Sequence, residues 1–323
     1  MNAAEGENVA TSPRPRVLVL LATYNGRQWI EEQLDSILAQ REVAVSVLVS
    51  DDCSTDGTAE FIDNASRSDS RVRVLSNRQA SGSAGSNFRR LFAGANAQGH
   101  DFVALADQDD VWLDDKLARA AKRLHATCAA GYSSTVTAFW PDGREKSVAQ
   151  EARQRDADFL FEGAGQGCTF VIDAALFRDV SRFCSEHAAL AGALHYHDWL
   201  VYELARVSGR SWTFDGESRI RYRQHDSNEI GARGGAGAIR SRLAKIRNGW
   251  FRTQVVAAMR IYEAFPARNP IVDRFGECFA LNAKPSLVNR VVLAALLARH
   301  SRRRLSDRLV LVIAALWGWL DPP

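Results

Sequence analysis

The stretch VLVLLATYNG, residues 17–26, opens with five consecutive apolar residues and ends in the polar turn sequence TYNG. A continuous apolar run of this length is expected for a strand that is buried on both faces. Apolar residues then recur at helical spacing, at Trp29, Ile30, Leu34, Ile37 and Leu38. A buried strand followed by an amphipathic helix indicates an α/β fold.

The same alternation continues along the next 80 or so residues. Residues 43–49 form a second β-branched run, and helices are predicted over about 57–67 and from about 86. Between and after them, residues 72–75 and 102–106 are predicted as strands. Alternation of this kind is typical of a mostly parallel central sheet, and ligands of such sheets bind beyond the carboxyl ends of the strands.

The composition fits a folded globular protein and excludes a disordered or fibrous chain. The chain has 323 residues, of which 46% are hydrophobic and 24% charged. Its five cysteines are widely spaced without a C-x-x-C pair, which argues against a disulfide scaffold or a zinc site and favours a reducing compartment. We find neither a signal peptide nor an apolar run of roughly 18 residues, so a cytoplasmic location is expected.

The small net charge of +3 conceals an asymmetry along the chain. Residues 1–217 hold 22 Lys and Arg against 31 Asp and Glu, a net charge of −9. Residues 218–323 hold 19 against 7, a net charge of +12. The net charge gives no case for nucleic acid, whereas the asymmetry indicates two roles, one of them at an anionic surface.

The strand predicted over residues 102–106 ends in the acidic sequence DQDD, residues 107–110. Three carboxylates within four residues repel one another, and a hard divalent cation removes that repulsion. Mg²⁺ or Mn²⁺ bound by Asp107 and Asp109 would then bridge to substrate phosphates. The alternative is a solvated helix N-terminus, where acidic residues cap the helix and favour its dipole; it is the preferred interpretation for Asp114 and Asp115.

The other two strand ends predict a nucleotide site. The Tyr24 ring can stack on a base, and the Asp52 carboxylate can accept a hydrogen bond from a base N–H or a ribose hydroxyl. The sequence contains no G-x-G-x-x-G after the first strand and no G-x-x-x-x-G-K-[ST], which removes the main support for dinucleotide or P-loop binding. The site would therefore hold its diphosphate through a metal.

Three motifs in this order resemble the nucleotide-sugar-binding half of glycosyltransferase family 2, which has a GT-A fold. They are LLATYNG (20–26), VLVSDDCSTDGT (47–58) and ALADQDDVWLDDKL (104–117). Further on, HDWLVYELA (197–205) and YRQHDSNEIGA (222–232) are similar to acceptor-side motifs of the bacterial rhamnosyltransferase-like branch. The resemblance implies a GT-A domain over residues 15–232.

The resemblance also implies which residues bind the donor. Residue 22 is alanine where many members have Thr or Ser, so a hydroxyl contact to the base is missing and both UDP and dTDP remain open. The residues expected to bind the nucleotide sugar are Ala22, Thr23, Tyr24, Asn25, Asp52, Asn87, Asp107, Gln108 and Arg223. The metal ligands are expected to be Asp107, Asp109 and His225.

The resemblance places the catalytic base at Asp198, at the start of a helix beside the acceptor. The base must take a proton from the acceptor hydroxyl as its oxygen attacks the anomeric carbon. The alternative for Asp198 is an N-cap of a helix over 199–207. His195 and His197 are expected to be packing or surface histidines.

Two neighbouring segments have less specific signals. Arg223 and His225 follow a predicted strand and would contact the leaving diphosphate or complete the metal shell; a solvated basic strand edge is the alternative. The segment of residues 82–90, which contains Asn87 and Arg90, is predicted either to cover the donor or to form a plain turn with a Ser helix cap.

The C-terminal region, residues 236–323, is predicted to be helical and basic, after a glycine-rich hinge at 231–237. Residues 236–265 are predicted as one helix, and residues 287–320 as a helical hairpin with an arginine-rich turn. Arg-rich helices that carry Trp250, Phe251, Trp317 and Trp319 fit the inner face of an anionic membrane. A helical subdomain packed on the catalytic core, or on another subunit, is the alternative.

The function predicted from these features is that of a metal-dependent inverting glycosyltransferase. It would move a sugar, with rhamnose as a candidate, from a UDP- or dTDP-sugar to a glycan or lipid-linked acceptor in cell-envelope polysaccharide synthesis. A catalytically silent GT-A domain that acts as a membrane-bound scaffold is the alternative. A nucleotidyltransferase would need a Gly-rich, Arg- or Lys-containing loop after the first strand, and ATYNGRQ does not provide one.

Overall fold

The computed structural model of the protein describes residues 13–150, 153–225, 236–280 and 286–322. The large sheet contains seven strands in the order β10-β6-β9-β4-β1-β2-β3. A smaller sheet has the order β5-β11-β7-β8. The strands are β1 (Arg16–Thr23), β2 (Ala44–Asp51), β3 (Val72–Val74), β4 (Phe102–Ala106), β5 (Val111–Trp112), β6 (Gly131–Ser134), β7 (Val136–Phe139), β8 (Glu145–Val148), β9 (Val171–Asp173), β10 (Trp212–Asp215) and β11 (Ile220–Arg223).

Twelve α-helices accompany these strands in the described part of the chain. They are α1 (Ile30–Leu38), α2 (Thr58–Ser68), α3 (Ala84–Gly94), α4 (Lys116–Thr127), α5 (Ala174–Glu186), α6 (Ala188–Ala193), α7 (His197–Val207), α8 (Ala236–Arg247), α9 (Trp250–Glu263), α10 (Pro270–Phe279), α11 (Leu287–His300) and α12 (Leu305–Leu316). The predicted order of strands and helices in the first 106 residues is confirmed, with ends that differ by a few residues.

The central strands run parallel, and β9 is antiparallel to both of its neighbours, β4 and β6. Successive residues of β1 face opposite sides of the sheet, so Leu18 and Leu20 enter one core while Val17 and Val19 enter the other. Both cores are closed by helices, which explains why residues 17–22 of β1 are all apolar. The prediction of an α/β fold with a mostly parallel central sheet is confirmed.

The parallel arrangement brings the ends of β1, β2 and β4 to one edge of the sheet. Thr23 is in register with Asp51, and Leu21 is in register with Ala106. The polar residues that follow these three strands therefore emerge side by side. This edge carries the candidate site.

The helix predicted over residues 236–265 is in fact two helices, so that prediction is wrong. Helix α8 ends at Arg247 and α9 begins at Trp250, and between them Gly249 has a φ of 81°. A left-handed residue breaks the helical hydrogen-bond ladder, and glycine adopts this conformation without steric cost. Of the predicted hinge at 231–237, residues 231–235 lie outside the described residues.

The C-terminal helices share a hydrophobic core with the sheet. Phe251, Val255, Leu297 and Leu311 are buried in the same cluster as Leu18 of β1. Phe251 is therefore unavailable to a membrane surface, contrary to expectation. The boundaries 15–232 and 236–323 remain a proposal for how the chain divides.

The arginine-rich turn between α11 and α12 makes internal contacts instead of facing solvent freely. Arg303 is buried, and its guanidinium donates to Asp158 Oδ2 at 3.2 Å and to the Gly163 carbonyl at 2.7 Å. Arg302 and Arg304 donate to the carbonyls of Phe161 and Ala149. The contribution that these side chains were expected to make at an anionic surface is reduced accordingly. No helix of the described residues has the length and apolarity that a membrane span requires.

Candidate active site

The loop after β1 is held in place by Gln108 from the end of β4. The Tyr24 backbone N–H donates to Gln108 Oε1 at 2.7 Å, and Gln108 Nε2 donates back to the Tyr24 carbonyl at 2.9 Å. Asn25 accepts from the Thr55 N–H through Oδ1 at 2.9 Å, which ties the same loop to the loop after β2. With its backbone fixed on both sides, Tyr24 presents a side chain that is 57% exposed. An exposed, positioned ring can stack on a base.

Two aspartates at the end of β2 organise the neighbouring loops. Asp51 accepts from Thr23 Oγ1 at 2.9 Å and from Ser54, so it joins the ends of β1 and β2. Asp52 is buried and accepts from the backbone N–H groups of Ser81 and Gly82, at 2.5 and 3.0 Å.

A third partner of Asp52 is Arg90, whose Nη1 donates to Oδ1 at 3.2 Å. The segment of residues 82–90 is therefore attached to the end of β2 through Asp52. Ser83 also caps α3 by accepting from the Ser86 N–H at 3.2 Å, so the helix-cap interpretation of this segment is confirmed.

Two residues expected to bind the donor are enclosed by the protein. Asn87 is buried; its Oδ1 accepts from Ser50 Oγ at 2.6 Å, and its Nδ2 donates to the carbonyls of Ser50 and Thr23. Ala22 is buried in the core beneath the same strand ends. Both residues therefore lie beneath the strand ends and contact the protein itself.

The acidic loop after β4 contacts the end of β11 and the two residues that follow it. His225 Nε2 lies 2.7 Å from Asp109 Oδ2, and its ring is stacked on Trp29 with centroids 4.0 Å apart. Arg223 donates through Nε to the Asp109 carbonyl at 2.9 Å and forms an ion pair with Glu32. The structure thus brings Asp109 together with Arg223 and His225, which lie more than 110 residues further along the sequence.

Behind these groups lies a second cluster, formed by Asp107, Asp110 and Cys168. One ligand atom from each lies within 4.8 Å of the others. Burial raises the pKa of Asp110 well above its ordinary value, and the charges of Asp109 and Asp107 raise it further. Burial likewise raises the pKa of the Cys168 thiol. Since a cysteine binds metal as thiolate, Cys168 is a poor ligand for a hard cation and is better suited to packing against Asp110.

A buried lysine lies beside this cluster. Lys116 is 1% exposed, its Nζ is 3.4 Å from the centroid of the Trp112 ring, and burial lowers its pKa to about 7. Cys168 and Asp110 oppose that shift through their charges. Burial therefore disfavours the charged forms of Asp110, Cys168 and Lys116, which lie beneath the acidic loop.

Asp198 is brought to the acidic loop by a short turn. The 3₁₀ turn Gly167–Thr169 carries Cys168 on the side of Asp110, while Gly167 lies against the start of α7. Helix α7 begins at His197 with Tyr196 as its N-cap residue, so Asp198 is not the N-cap. The Oδ1 atom of Asp198 accepts from the Trp199 N–H at 2.7 Å.

The histidines on either side of Tyr196 differ in their surroundings. His197 is stacked on Phe88 with centroids 3.8 Å apart, and burial lowers its pKa to about 3, so it packs as a neutral ring. His195 is exposed. The expectation that both are packing or surface residues is confirmed by these positions.

The donor atoms at this edge fit a hard divalent cation. The carboxylates of Asp107 and Asp109 are ligand types that suit Mg²⁺ or Mn²⁺, whereas the imidazole of His225 is a ligand of transition metals and favours Mn²⁺ over Mg²⁺. A cation would relieve the repulsion that Asp109 and Asp107 exert on Asp110.

Sequence reasoning missed Asp110 as a separate group, and it missed Lys116, Gly167 and Cys168. The signal for the turn is the glycine-rich run GAGQG, residues 163–167, which precedes Cys168. No local pattern marks Lys116, because a lysine that begins a helix is ordinarily exposed.

A mostly parallel α/β sheet with acidic residues after its strand ends is the architecture expected from the resemblance to GT-A glycosyltransferases. Residues 18–184 match the sequence model described as Glycosyl transferase family 2. The chain belongs to this family and is a glycosyltransferase.

Relatives and solved structures agree with this assignment. The chain is 38% identical over 236 residues to dTDP-rhamnosyl transferase RfbG of Shigella flexneri, over 73% of this chain and 82% of that protein. It is 36% identical over 105 residues to the Escherichia coli UDP-Glc:alpha-D-GlcNAc-diphosphoundecaprenol beta-1,3-glucosyltransferase WfgD, over 31% and 38% of the two chains. The crystal structure of S. aureus TarS 1-349 with UDP-GlcNAc shares the fold, with a TM-score of 0.57, 14% identity and coverage of 95% and 88%.

Proposed function

We propose that the protein is an inverting glycosyltransferase that moves a sugar from a nucleotide-diphosphate sugar to a hydroxyl of a lipid-linked saccharide in cell-envelope polysaccharide synthesis. One observation carries the proposal. The turn Gly167–Thr169 contributes Cys168 to the cluster with Asp107 and Asp110, and its Gly167 lies against Asp198. A candidate base therefore stands beside the candidate diphosphate site.

The nucleoside would lie across the ends of β1 and β2. Tyr24 offers its exposed ring for stacking, and Thr23 and Asn25 set the path of the loop. Asp52 accepts three hydrogen bonds within the described residues, and a carboxylate has about four lone-pair directions. One direction is left to accept from a base N–H.

The diphosphate would lie over the acidic loop. Asp107, Asp109 and His225 would hold the divalent cation, which when bound offsets the negative charge of the leaving diphosphate. Gln108 keeps this loop aligned with Tyr24 through its paired hydrogen bonds. Arg223 would contact the diphosphate from the Asp109 side, after exchanging its ion pair with Glu32.

Asp198 would act as the general base. The acceptor oxygen attacks the anomeric carbon while the bond from that carbon to the diphosphate oxygen breaks, and the hydroxyl proton passes to the Asp198 carboxylate. Attack from the face opposite the leaving group inverts the configuration in one displacement. No covalent sugar–enzyme intermediate forms.

The donor and acceptor classes are proposed from the relatives. The dTDP-rhamnosyl transferase spans most of this chain, which favours a dTDP-sugar with rhamnose as the transferred group. The glucosyltransferase uses GlcNAc-diphosphoundecaprenol, so we propose a saccharide on a lipid diphosphate as acceptor.

A lipid acceptor gives a use for the exposed apolar stripe on the last two helices. Leu305, Leu309 and Ile313 on α12 and Trp317 at its C-cap recur at intervals of four residues, and Trp317 is 67% exposed. On α11, Leu287, Val288 and Val291 are exposed as well.

The carboxylates near this stripe are compensated: Asp321 pairs with Arg290 at 2.6 Å and Asp307 lies 3.8 Å from Arg302. An apolar face with an exposed tryptophan and neutralised acids suits the headgroup boundary of a bilayer. We propose peripheral attachment of this stripe to the inner face of the cytoplasmic membrane.

Donor hydrolysis tests the catalytic proposal. The purified protein with Mn²⁺ is incubated with a panel of UDP- and dTDP-sugars, and the released nucleoside diphosphate is measured. Release from one donor, at a rate that requires Asp198, supports the enzyme. If no donor is hydrolysed and no acceptor receives a sugar, the result would instead support the silent scaffold.

A further inference from the structure

Three aromatic side chains and a lysine form a cluster at the N-terminus of α7, hereafter the aromatic–lysine cluster: His195, Tyr196, Lys245 and Trp250. The ring of Trp250 lies edge-on to those of Tyr196 and His195, with centroid separations of 5.9 and 5.8 Å. Lys245 Nζ donates to the Tyr196 hydroxyl at 3.0 Å and lies 4.6 Å from the centroid of the Trp250 ring.

The cluster is anchored from below. The His195 backbone N–H donates to Oε1 of the buried Gln254 at 2.7 Å, and the Arg89 guanidinium donates to the Leu194 carbonyl at 3.2 Å. Phe251, next to Trp250, is buried in the main core. Helix α9 therefore fixes the cluster on the catalytic domain, although Lys245 and His195 remain exposed.

This position is next to the proposed base. Tyr196 is the N-cap residue of α7, and Asp198 lies two residues further on. A helix rises about 1.5 Å per residue, so the two backbone positions are less than one helical turn apart. The aromatic–lysine cluster and the proposed base therefore both lie at the start of α7.

The side chains of the cluster suit two parts of a single ligand. Aromatic faces pack against the C–H faces of a sugar ring. An ammonium has three donors, of which Lys245 uses one for the Tyr196 hydroxyl within the described residues. An exposed lysine with donors to spare binds a phosphate as a point charge.

We propose that the aromatic–lysine cluster is the acceptor subsite, in which Tyr196 and Trp250 support the sugar next to the lipid diphosphate and Lys245 binds that diphosphate. This proposal rests on the proposed function. It gives α8 and α9 a part in acceptor recognition, separate from any contact that α11 and α12 make with a membrane.

The test uses the full-length protein and two acceptors that carry the same sugar. One is N-acetylglucosamine on a short-chain prenyl diphosphate, and the other is the corresponding alkyl glycoside without phosphate. Transfer is followed with the acceptor varied at saturating donor, and with the donor varied at saturating acceptor, for the wild type and for Lys245→Met, Lys245→Arg and Arg240→Met. Arg240 is also exposed on α8 and, five residues away, lies about 140° around the helix, so its variant controls for loss of a positive charge.

We expect Lys245→Met to raise KM for the diphosphate acceptor about tenfold, because a charge-assisted hydrogen bond is lost. KM for the alkyl glycoside and KM for the donor should stay as in the wild type, Lys245→Arg should restore most of the affinity, and Arg240→Met should have no effect. An unchanged KM in Lys245→Met, or an equal rise for both acceptors, would overturn the subsite alone. Donor hydrolysis by a wild type that transfers to neither acceptor would overturn the proposed acceptor class and the subsite with it.

Discussion

Gly167 lies directly against Asp198. A Cβ atom built on Gly167 would stand 3.2 Å from the Cβ of Asp198 and 2.7 Å from Nε2 of His197. The His197 ring cannot easily give way, because it is stacked on Phe88 at 3.8 Å. The missing side chain at position 167 therefore sets how closely the proposed base approaches the turn that carries Cys168.

Gly167→Ala should displace the start of α7 and lower kcat for transfer about 100-fold, since a shift of about 1 Å can cost that much. Overpacking should also lower the free energy of unfolding by about 1–3 kcal/mol. Transfer kinetics and urea unfolding measure the two effects. Gly192→Ala in α6, where an added Cβ meets nothing within 4 Å, is the matched control. If both variants behave like the wild type, Gly167 does not position Asp198.

Asp198→Asn should retain donor affinity and lose on the order of 10²–10⁴-fold in kcat, because an amide cannot accept the acceptor proton. Isothermal calorimetry with the donor and initial rates of transfer separate the two quantities. Glu60→Gln removes an exposed acid from the first turn of α2 and controls for the small change in helix stability. Near-normal turnover of Asp198→Asn would exclude it as the base.

Asp109→Ala should abolish the effect of Mn²⁺ on nucleoside diphosphate binding, because the variant removes one proposed ligand and the 2.7 Å partner of His225. The loss of affinity should exceed the roughly 10- to 100-fold that outer-shell partners cost. Calorimetry with and without Mn²⁺ gives the result. Asp114→Ala, which removes an acid exposed near the same loop, should leave binding unchanged. A metal effect that persists in Asp109→Ala would refute its role as a ligand.

Lys116 should give the protein a stability that rises with pH between about 7 and 10.4. Its pKa is about 7 in the folded protein and about 10.4 in the unfolded chain, so the unfolded state binds more protons across this window. The free energy of unfolding should then increase by up to about 1.4 kcal/mol per pH unit, and the effect should vanish below pH 7, where both states are protonated.

Lys116→Met should remove this increase, and Lys122→Met, at an exposed position of the same helix, should keep it. Urea unfolding at pH 7.5 and 9.5 compares the three proteins. Parallel pH dependence of the wild type and Lys116→Met would show that Lys116 is not the group responsible.

Ile313→Ser combined with Trp317→Ser should weaken binding to anionic liposomes by removing two exposed apolar side chains from α12 and its C-cap. High salt should weaken wild-type binding without complete release, because apolar burial is not screened. Flotation measures both effects, and Val74→Ser, at an exposed position of β3, is the control. If the wild type floats with neither anionic nor neutral liposomes, membrane attachment is excluded and oligomerisation remains as the function of the stripe.

The local pattern of the chain determined the fold and the edge of the sheet at which the proposed donor site lies. Val17–Leu21 and Phe102–Ala106 are apolar throughout because both faces of their strands are buried. Parallel strands end at the same edge, so the polar residues that follow them had to meet. Asp52 and Asp109 could therefore be proposed as neighbours in one site from the sequence alone.

Contacts between elements that are distant in the sequence were decided only by the tertiary structure. Asp110 and Cys168 come together across the acidic loop and the 3₁₀ turn, and burial of both decides which carboxylates remain available to a cation. From the sequence, the Arg303 side chain is expected at the surface, but it is buried and forms ion pairs with Asp158 and Glu162. Lys245 reaches Tyr196 only because α9 packs on the catalytic core. Periodicity determines which face of an element is buried, but it does not specify the partner, because the partner is chosen by packing of the whole chain.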